Sequence, residues 1–334
     1  MRMMGNASSI VKQLRASTLA IDRAIFLRRI FTVMLHRREF VRLASAAVPL
    51  AAGAAASPAR GESQPKPLRL GIVTNCKDPD AGIRRVKELG FPTCQMYVSS
   101  FDAATAKSLR SALDKYGIEG TSLITGGPGP EIYNFREGPK TIGFVPRQYR
   151  AQRVARAKQV SDFAKIAGVP GVQGHFGFLP EDPNDPMFPE LVATLADLAA
   201  YCKNNGQTFR CETGQETPIA LLRVIRAAGK DNVGVNFDAA NLILYDKANP
   251  VDALDILGPL VMGVHAKDGL YPTNPEELGE EVPIGRGKVN FPLFIPRLKA
   301  AGYKGPITIE REISGPKQTE DILASKRFLE KLIG

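Results

Sequence analysis

The chain has 334 residues, of which 44% are hydrophobic and 23% are charged, as in an ordinary globular protein with one large core or two modest ones. The formal net charge is +10, but nine Arg and Lys residues against two acidic residues in positions 1–59 supply +7 of it, which leaves +3 for the remainder. No basic stripe with interleaved aromatic residues follows in the sequence, so composition and charge argue against nucleic-acid binding.

The first part of the chain is typical of an export signal. His36–Arg42 (HRREFVR) contains a twin arginine, and the Ala-rich apolar run Leu43–Ala56 that follows is too short to span a bilayer and ends in small residues. More than thirty residues precede the twin arginine, so Met34 is the alternative start. We expect residues 1–60 to form a leader that directs the protein to the periplasm or another extracytoplasmic space, without stable membrane insertion. If the leader is a chance arginine pair, the protein stays in the cytoplasm.

The cysteines give no motif. Cys76, Cys94, Cys202 and Cys211 lack C-x-x-C spacing, and their positions do not select a pairing. A disulfide would be compatible with export, but buried free thiols are the expected state.

From residue 68 onward, short apolar segments alternate with amphipathic ones, which is the pattern of β/α units around a parallel sheet. Glycines follow the amphipathic runs, as they do at helix C-termini. Eight such units predict an α/β fold, a (β/α)₈ TIM barrel forming a single domain over residues 66–334. An open doubly wound sheet is the alternative, but no G-x-G-x-x-G follows the first strand. The predicted strands are 68–74, 93–98, 118–124, 171–175, 207–212, 233–238, 261–266 and 306–311, and the predicted helices lie near 80–89, 102–116, 148–167, 188–204, 217–229, 251–258, 292–301 and 318–332.

Two connections are longer than a barrel requires. Thr125–Arg147 follows the third predicted strand and Gly269–Asn290 follows the seventh, and both are rich in Gly and Pro. Both lie at the carboxyl ends of strands, where barrel enzymes build their sites. Long ordered loops usually cover or shape a ligand site, so we expect these two to do so. Tyr133, Asn134 and Arg136 on the first of them are candidate contacts for the ligand.

Four side chains at successive strand ends predict a metal site. Glu212, Asp238, His265 and Glu310 end the fifth to eighth predicted strands, so a barrel would make them neighbours. Three carboxylates and one imidazole form a hard, oxygen-rich ligand set for one divalent ion. Mn²⁺ is the expected ion, with Mg²⁺, Co²⁺ and Zn²⁺ as alternatives.

Four segments give the sequence a family resemblance. From Leu68 to Gly334 the chain resembles the xylose isomerase-like TIM-barrel superfamily, also described as the sugar phosphate isomerase/epimerase family. The order and spacing of these segments are specific to the superfamily but say little about the substrate. The segments that carry the resemblance are Asn236–Asn241 (NFDAAN), Val264–Asp268 (VHAKD), Gly285–Phe291 (GRGKVNF) and Gly302–Glu310 (GYKGPITIE).

The resemblance implies that Glu212, Asp238, His265 and Glu310 bind one divalent metal, and that Glu212 and Glu310 also act as acid and base on opposite faces of a sugar. A metal that chelates the carbonyl and the adjacent hydroxyl of a ketose would ease removal of the intervening proton and stabilise the enediolate. Glu-mediated proton transfer would then give isomerisation or epimerisation.

Departures from the family pattern define the candidate substrate contacts. Keto-sugar 3-epimerases have a His three residues after the metal Asp, where this chain has Asn241, and an Arg soon after the metal His, where it has Lys267. Lys267 is expected either to hold a substrate oxygen or to pair with Asp268. His175 ends the fourth predicted strand and is a candidate for substrate binding or acid/base assistance. The AP-endonuclease branch, with its trinuclear zinc site, needs more histidines than this chain has.

Strand parity adds Arg210 to the predicted site. If Glu212 and Asp238 point into the barrel, Arg210 and Asn236, two residues earlier in each strand, also do. A buried arginine needs a partner, so we expect Arg210 to orient the ligand carboxylates.

Three functions remain open at this point. The first is an exported, metal-dependent isomerase or epimerase that acts on a small-molecule sugar. The second is a lyase or hydrolase that removes the aglycone from a 3-keto-glycoside with the same metal and bases. The third is a non-catalytic sugar-binding barrel. Assembly into a homo-oligomer is compatible with each of them.

Overall fold

The barrel strands follow the predicted order along the chain. A computed structural model describes residues 68–334, so the predicted leader, its twin arginine and Met34 lie outside the described residues. Eight parallel strands close into a barrel in the order β1-β10-β7-β6-β5-β4-β3-β2, and β8 and β9 form a separate antiparallel pair. The strands are β1 Leu70–Asn75, β2 Thr93–Tyr97, β3 Glu119–Ile124, β4 Gly171–His175, β5 Thr208–Glu212, β6 Val233–Asp238, β7 Val261–Ala266, β8 Asp268–Gly269, β9 Glu281–Val282 and β10 Ile307–Ile309.

The helices alternate with the strands, as the amphipathic pattern predicts. The α-helices are α1 Pro79–Glu88, α2 Ala103–Tyr116, α3 Gly138–Thr141, α4 Arg147–Ala167, α5 Phe188–Asn204, α6 Pro218–Ala228, α7 Ala239–Leu244, α8 Pro250–Leu257, α9 Phe291–Ala300 and α10 Pro316–Ile333. Asp102 caps the start of α2 by accepting from Thr105 N at 2.9 Å, and Gly117 ends that helix in the left-handed region at φ 64°. The closed barrel confirms the predicted fold class.

The last barrel strand differs from its prediction. The sequence predicts a strand over 306–311, whereas β10 has three residues and ends at Ile309. Glu310 N still donates to Ala266 O at 3.0 Å, so one bond to the neighbouring strand continues past the end of β10. The predictions also lacked α3, α7 and the β8–β9 pair, which are too short to show a hydrophobic period.

Apolar side chains fill the space between the strands and the helix layer. Phe237 of β6 packs against Phe294 of α9 with ring centroids 5.6 Å apart, and both are fully buried. Burying an aromatic side chain of this size stabilises the fold by about 1.5–3 kcal/mol. The four cysteines are also buried and free, as expected. Among the described helices, none combines the length and the apolar character that crossing a bilayer demands.

The long loop after β3 is anchored by an arginine from the following helix. Arg153 of α4 is 2% exposed, and its guanidinium donates to Gly143 O at 2.6 Å, Pro130 O at 2.8 Å and Pro128 O at 3.2 Å. These charge-assisted hydrogen bonds tie the loop to α4 at three of its carbonyls. It extends over the carboxyl end of the barrel.

The long loop after β7 is anchored by Asp268. Its carboxylate accepts from Gly285 N at 2.9 Å, Gly287 N at 3.0 Å and Val289 N at 3.1 Å. A Cβ on Gly287 would lie 2.1 Å from Asp268 Oδ1, so only glycine permits this approach. The Asp268 carboxylate therefore holds the Gly-Arg-Gly segment in place through the backbone N–H groups of that segment.

Candidate metal centre

The strand register brings the predicted ligands to one end of the barrel. Asp238 of β6 pairs with His265 of β7, although the register shifts earlier in the ladder, where Val235 pairs with Val261 and Asn236 with Gly263. The shift places an extra residue, Met262, in β7. Glu212 ends the neighbouring strand β5, and Glu310 follows β10 on the other side of β7. The fold thus places all four side chains on adjacent strands.

The four side chains converge around the imidazole. His265 Nδ1 lies 3.0 Å from Glu212 Oε1, 3.3 Å from Glu310 Oε2 and 3.6 Å from Asp238 Oδ2. One ligand atom from each residue lies within 4.8 Å of the others, and all four residues are buried. The part of the chain that the structure describes holds this one group of at least three His, Cys, Asp or Glu side chains able to share an ion.

The two oxygens of Asp238 show that the donor set fits a cation. Oδ1 accepts from Asn241 N at 2.8 Å and caps α7, whereas the buried Oδ2 has no hydrogen-bond partner in the described chain. Positive charge is the usual compensation for a buried carboxylate oxygen, and here Lys267 Nζ lies 3.2 Å from Oδ2 on one side while the centre of the cluster lies on the other, where a bound cation would add to that compensation. Three carboxylate oxygens and one ring nitrogen form a set that Mn²⁺ or Mg²⁺ accepts.

Mutual electrostatics shift the pKa values of the cluster. Burial lowers the pKa of His265, but the charges of Glu310 and Glu212, with hydrogen bonds to Asp238 and Glu212, outweigh it and raise that pKa well above the ordinary value. Burial alone would raise the pKa of Glu310, yet His265 and Lys267 hold it well below the ordinary value. The carboxylates that favour a proton on the imidazole would equally favour a divalent ion, and binding of that ion would release any proton held by the coordinating nitrogen.

Lys267 belongs to the cluster. Its Nζ lies 2.9 Å from Glu310 Oε2, 3.2 Å from Asp238 Oδ2 and 3.4 Å from Glu312 Oε2, and the residue is 1% exposed. The alternative that Lys267 pairs with Asp268 is therefore wrong. Successive residues of an extended segment point to opposite faces, so Lys267 shares the inner face with His265 while Asp268 faces the loop.

The other two candidate substrate contacts, His175 and Asn241, differ in how deeply they are buried. His175 Nε2 is 3.9 Å from Glu212 Oε1, its side chain is 18% exposed, and its ring lies edge-on to Tyr133 with centroids 6.2 Å apart. This places His175 between the cluster and the loop after β3. Asn241 is buried, and its side chain packs beside Gly214 in the loop after β5.

Arg136, a candidate sugar contact, instead joins the two long loops. Its Nε donates to Glu276 Oε2 at 3.0 Å, which links the loop after β3 to the loop after β7. Both side chains are well exposed, so the ion pair adds little to stability. It does connect the two segments that border the site.

Arg210 lies inside the barrel, as its parity predicts, but not against the ligands. A Cβ on Gly263 of β7 would meet its guanidinium at 3.3 Å, which is an interior contact. Its Nε donates to Thr208 Oγ1 at 3.1 Å, and within residues 68–334 no hydrogen bond or ion pair joins it to a ligand carboxylate. The expected contact is missing because Arg210 lies one step deeper along β5 than Glu212.

An amide layer below the cluster was absent from the sequence-based prediction. Gln95 of β2, Gln173 of β4 and Asn236 of β6 are at most 1% exposed and bond to one another across the barrel. Gln95 Oε1 lies 2.6 Å from His265 Nε2. The sequence did hold a signal for this layer: each of the strands TCQMY and GVQGH has a glutamine in its middle. Strands buried on both faces are usually apolar throughout, so a central glutamine indicates a polar contact inside the barrel.

Comparison with known proteins gives a family match over most of the chain. Residues 83–332 match the family model described as xylose isomerase-like TIM barrel. A solved xylose isomerase domain protein from Planctomyces limnophilus is 34% identical, with a TM-score of 0.76 over 80% of this chain and 97% of that one. A D-tagatose 3-epimerase-like protein is 20% identical with a TM-score of 0.61, covering 80% of this chain and 97% of that one. A 3-keto-D-glucoside 4-epimerase from E. coli is 14% identical with a TM-score of 0.58, covering 79% and 99%.

The curated relatives match over a shorter segment. An uncharacterized protein from Methanocaldococcus jannaschii is 30% identical over 118 residues, which is 35% of this chain. The match spans 37% of that relative's length. This chain therefore matches little more than a third of that relative's length.

Proposed function

Because the chain belongs to the xylose isomerase-like TIM-barrel family, we propose that it is a divalent-metal-dependent sugar isomerase or epimerase. The observation that carries the proposal is the convergence of Glu212, Asp238, His265 and Glu310, one ligand atom each, within 4.8 Å. The neighbours named as sugar epimerases at low identity share the fold and support the substrate class.

The four side chains would hold the metal, and Mn²⁺ is the ion we propose. When bound, a divalent ion polarises a substrate carbonyl and stabilises the negative charge that develops on adjacent oxygens. The burial of the cluster supports this role, since all four residues are at most 5% exposed and such electrostatic effects are strong where water is excluded.

Proton transfer falls to Glu212 and Glu310 in this proposal. One carboxylate takes the proton from the carbon beside the carbonyl, the electron pair of the broken C–H bond forms a C=C bond, and the π pair of the carbonyl moves onto its oxygen, giving an enediolate. The other residue takes up a proton from water and, as the carboxylic acid, delivers it to the same carbon from the opposite face or to the neighbouring carbon, while the first releases its proton to water. The first outcome is epimerisation and the second is isomerisation.

Lys267 and His175 complete the proposed substrate contacts, together with Asn241. The Lys267 ammonium, 2.9 Å from Glu310 Oε2, is placed to donate to a substrate oxygen next to the reacting carbon. His175 has a buried Nδ1 without a hydrogen-bond partner in the described chain, so a sugar hydroxyl is a suitable partner for it.

The position of Lys267 also favours a second candidate, a lyase acting on 3-keto-glycosides. A carboxylate would remove the proton beside the keto group, and the resulting carbanion would expel the aglycone from the adjacent carbon. The leaving oxygen would take its proton from the Lys267 ammonium. The same cluster would serve both reactions, so the products distinguish them.

The test is a substrate panel in D₂O. Purified protein freed of its leader and loaded with Mn²⁺ is incubated with free ketoses and with 3-keto-glucosides, and the products are analysed by NMR. The proposal expects a new isomer or epimer carrying deuterium at the reacting carbon. Release of the aglycone with an unsaturated sugar supports the lyase instead. Sugar binding without any product would leave only the non-catalytic barrel.

We also propose that the protein works outside the cytoplasm. The twin-arginine pattern Arg37–Arg38 and the apolar run after it support export. That route carries proteins already folded, which suits an enzyme that takes up its metal before it crosses the membrane.

A further inference from the structure

Gln95 contacts the ring nitrogen of His265, Nε2, that points away from the metal cluster. The distance from His265 Nε2 to Gln95 Oε1 is 2.6 Å, and that from His265 Nδ1 to Glu212 Oε1, on the cluster side, is 3.0 Å. Gln95 is 1% exposed and His265 is 0% exposed, so bulk water does not compete for the bond. Which ring nitrogen carries a proton therefore depends on what Gln95 offers to it.

The Gln95 amide is placed with its oxygen toward His265 and its nitrogen toward Asn236. Gln95 Nε2 donates to Asn236 Oδ1 at 3.2 Å, so the amide nitrogen is used on the side away from the imidazole. Ser122 Oγ donates to Gln173 Oε1 at 2.6 Å, which leaves Gln173 Nε2 to donate to Gln95 Oε1 at 2.8 Å. In this arrangement Ser122 Oγ, Gln173 Nε2 and Gln95 Nε2 each donate to an acceptor and the Gln95 oxygen faces His265, while Asn236 Nδ2 has no hydrogen-bond partner in the described chain.

Two groups then share one acceptor. Gln173 Nε2 lies 3.2 Å from His265 Nε2, and because both are nitrogens with a proton to give, they do not bond to each other. Both direct their protons to Gln95 Oε1, which has two lone pairs. With a proton on Nε2, the lone pair of the neutral ring is on Nδ1, the atom that faces the three carboxylates.

We propose that Gln95 is a positioning residue that holds His265 as the Nε2-protonated tautomer and so presents Nδ1 as a ligand for a divalent cation. The inference rests on the metal site of the proposed function and adds to it the residue that orients the imidazole. Outer partners of this kind fix the ring and raise its basicity, and their removal typically weakens metal binding about 10–100-fold.

The first test measures Mn²⁺ affinity without any sugar, by competition with a fluorescent chelator. Gln95→Met keeps the length of the side chain but removes the acceptor, and we expect its Mn²⁺ affinity to fall about 10–100-fold. Gln95→Glu keeps an acceptor toward Nε2, and we expect affinity close to that of the wild type or tighter. Ser122→Ala disturbs the same amide layer without touching the bond to His265, and we expect little change in affinity.

The outcomes distinguish failure of the proposed function from failure of the positioning role alone. Wild-type protein that binds no Mn²⁺ overturns the proposed function and the positioning role with it. Wild-type protein that binds Mn²⁺, while Gln95→Met binds it equally tightly, overturns the positioning role alone. A purely structural role for Gln95 would lower thermal stability in Gln95→Met and Ser122→Ala but would not separate Gln95→Met from Gln95→Glu in metal affinity.

A second measurement does not depend on the folding of any variant. Wild-type protein labelled with ¹⁵N-histidine and loaded with diamagnetic Zn²⁺ reports the state of each ring nitrogen by NMR. We expect His265 to show a proton bonded to Nε2 and a metal-bound Nδ1. A proton on Nδ1 would overturn the proposal.

Discussion

Lys267 and Glu310 form a buried ion pair, with the ammonium nitrogen 2.9 Å from the carboxylate Oε2. The same Oε2 lies 3.3 Å from His265 Nδ1, so one oxygen faces both the lysine and the centre of the cluster. Asp238 Oδ2 is shared in the same way, at 3.2 Å from Lys267 and 3.6 Å from His265. A bound cation and the lysine would therefore stabilise the same two carboxylates.

Replacement of Lys267 should destabilise the metal-free protein more than the protein saturated with Mn²⁺. Lys267→Met leaves buried carboxylates without their ammonium partner, and loss of one member of a buried pair costs about 3–5 kcal/mol. Saturating Mn²⁺ should reduce that loss, because the cation compensates the same oxygens. Urea unfolding with and without Mn²⁺ measures both values, with Lys304→Met on the exposed surface as the control. An equal loss in both conditions would argue against the shared role.

Glu212 and Glu310 should be required for turnover. Glu212→Gln and Glu310→Gln keep the side-chain shape but cannot accept the substrate proton, so kcat/KM should fall about 10²–10⁴-fold for each. Glu276→Gln, on the exposed rim of the loop after β7, should retain wild-type turnover. The measurement is the rate on whichever sugar the panel identifies. Activity within tenfold of the wild type in either variant would remove that residue from the proton-transfer role.

Glu216 should make the stability of the fold depend on pH. Burial raises the pKa of this fully buried carboxyl from 4.5 to about 8. Between those values the folded protein keeps a proton that the unfolded chain has released, so stability falls as pH rises, by up to about 1.4 kcal/mol per pH unit. The contribution is complete below pH 4.5 and is lost as pH rises toward about 8.

The substitution Glu216→Gln should remove that slope, because glutamine is neutral at every pH. Unfolding free energies of the variant and the wild type at pH 5, 6, 7 and 8 should diverge, with the variant relatively more stable at the higher values. Glu277→Gln, at an exposed position, should follow the wild type. Parallel curves for Glu216→Gln and the wild type would contradict the raised pKa.

The twin arginine should be needed for export. In the full-length chain, Arg37→Lys with Arg38→Lys keeps the charge but removes the pattern, and we expect the protein to accumulate in the cytoplasm. Cell fractionation with antibody detection checks this, and a variant with lysine in place of Arg15, outside the pattern, is the control. Normal export of the double variant would contradict the proposed leader.

The barrel and the four-residue cluster were predictable because each rests on a local pattern. β/α alternation and the glycines that follow the amphipathic runs predict the order of the elements. In the structure these glycines have positive φ, from 61° to 92°: Gly90, Gly117, Gly168, Gly206, Gly229 and Gly302. Parallel strands in a closed barrel share a polarity, so polar residues at strand ends meet at one rim. Nothing further is needed to place Asp238 beside His265.

The partners of Lys267, Gln95 and Arg210 depend on contacts across the barrel, which no local pattern encodes. Lys267 meets Glu310 only because β10 lies next to β7, and Gln95 meets His265 only because β2 and β7 face each other in the closed interior. Arg210 points into the barrel, as strand alternation predicts, but it does not contact the ligand carboxylates, because it lies deeper along the barrel axis than they do. Strand alternation predicts whether a side chain points into or out of the barrel, but not which side chains of other strands lie at the same level along the barrel axis.

The central claim is that four side chains share one divalent ion, and isothermal titration of metal-free protein with Mn²⁺ tests it most directly. The account predicts one ion bound per chain, and a loss of affinity in Asp238→Asn greater than the roughly 10–100-fold that removal of an outer partner causes. Failure of the wild type to bind Mn²⁺, or equal affinity in Asp238→Asn, would contradict it.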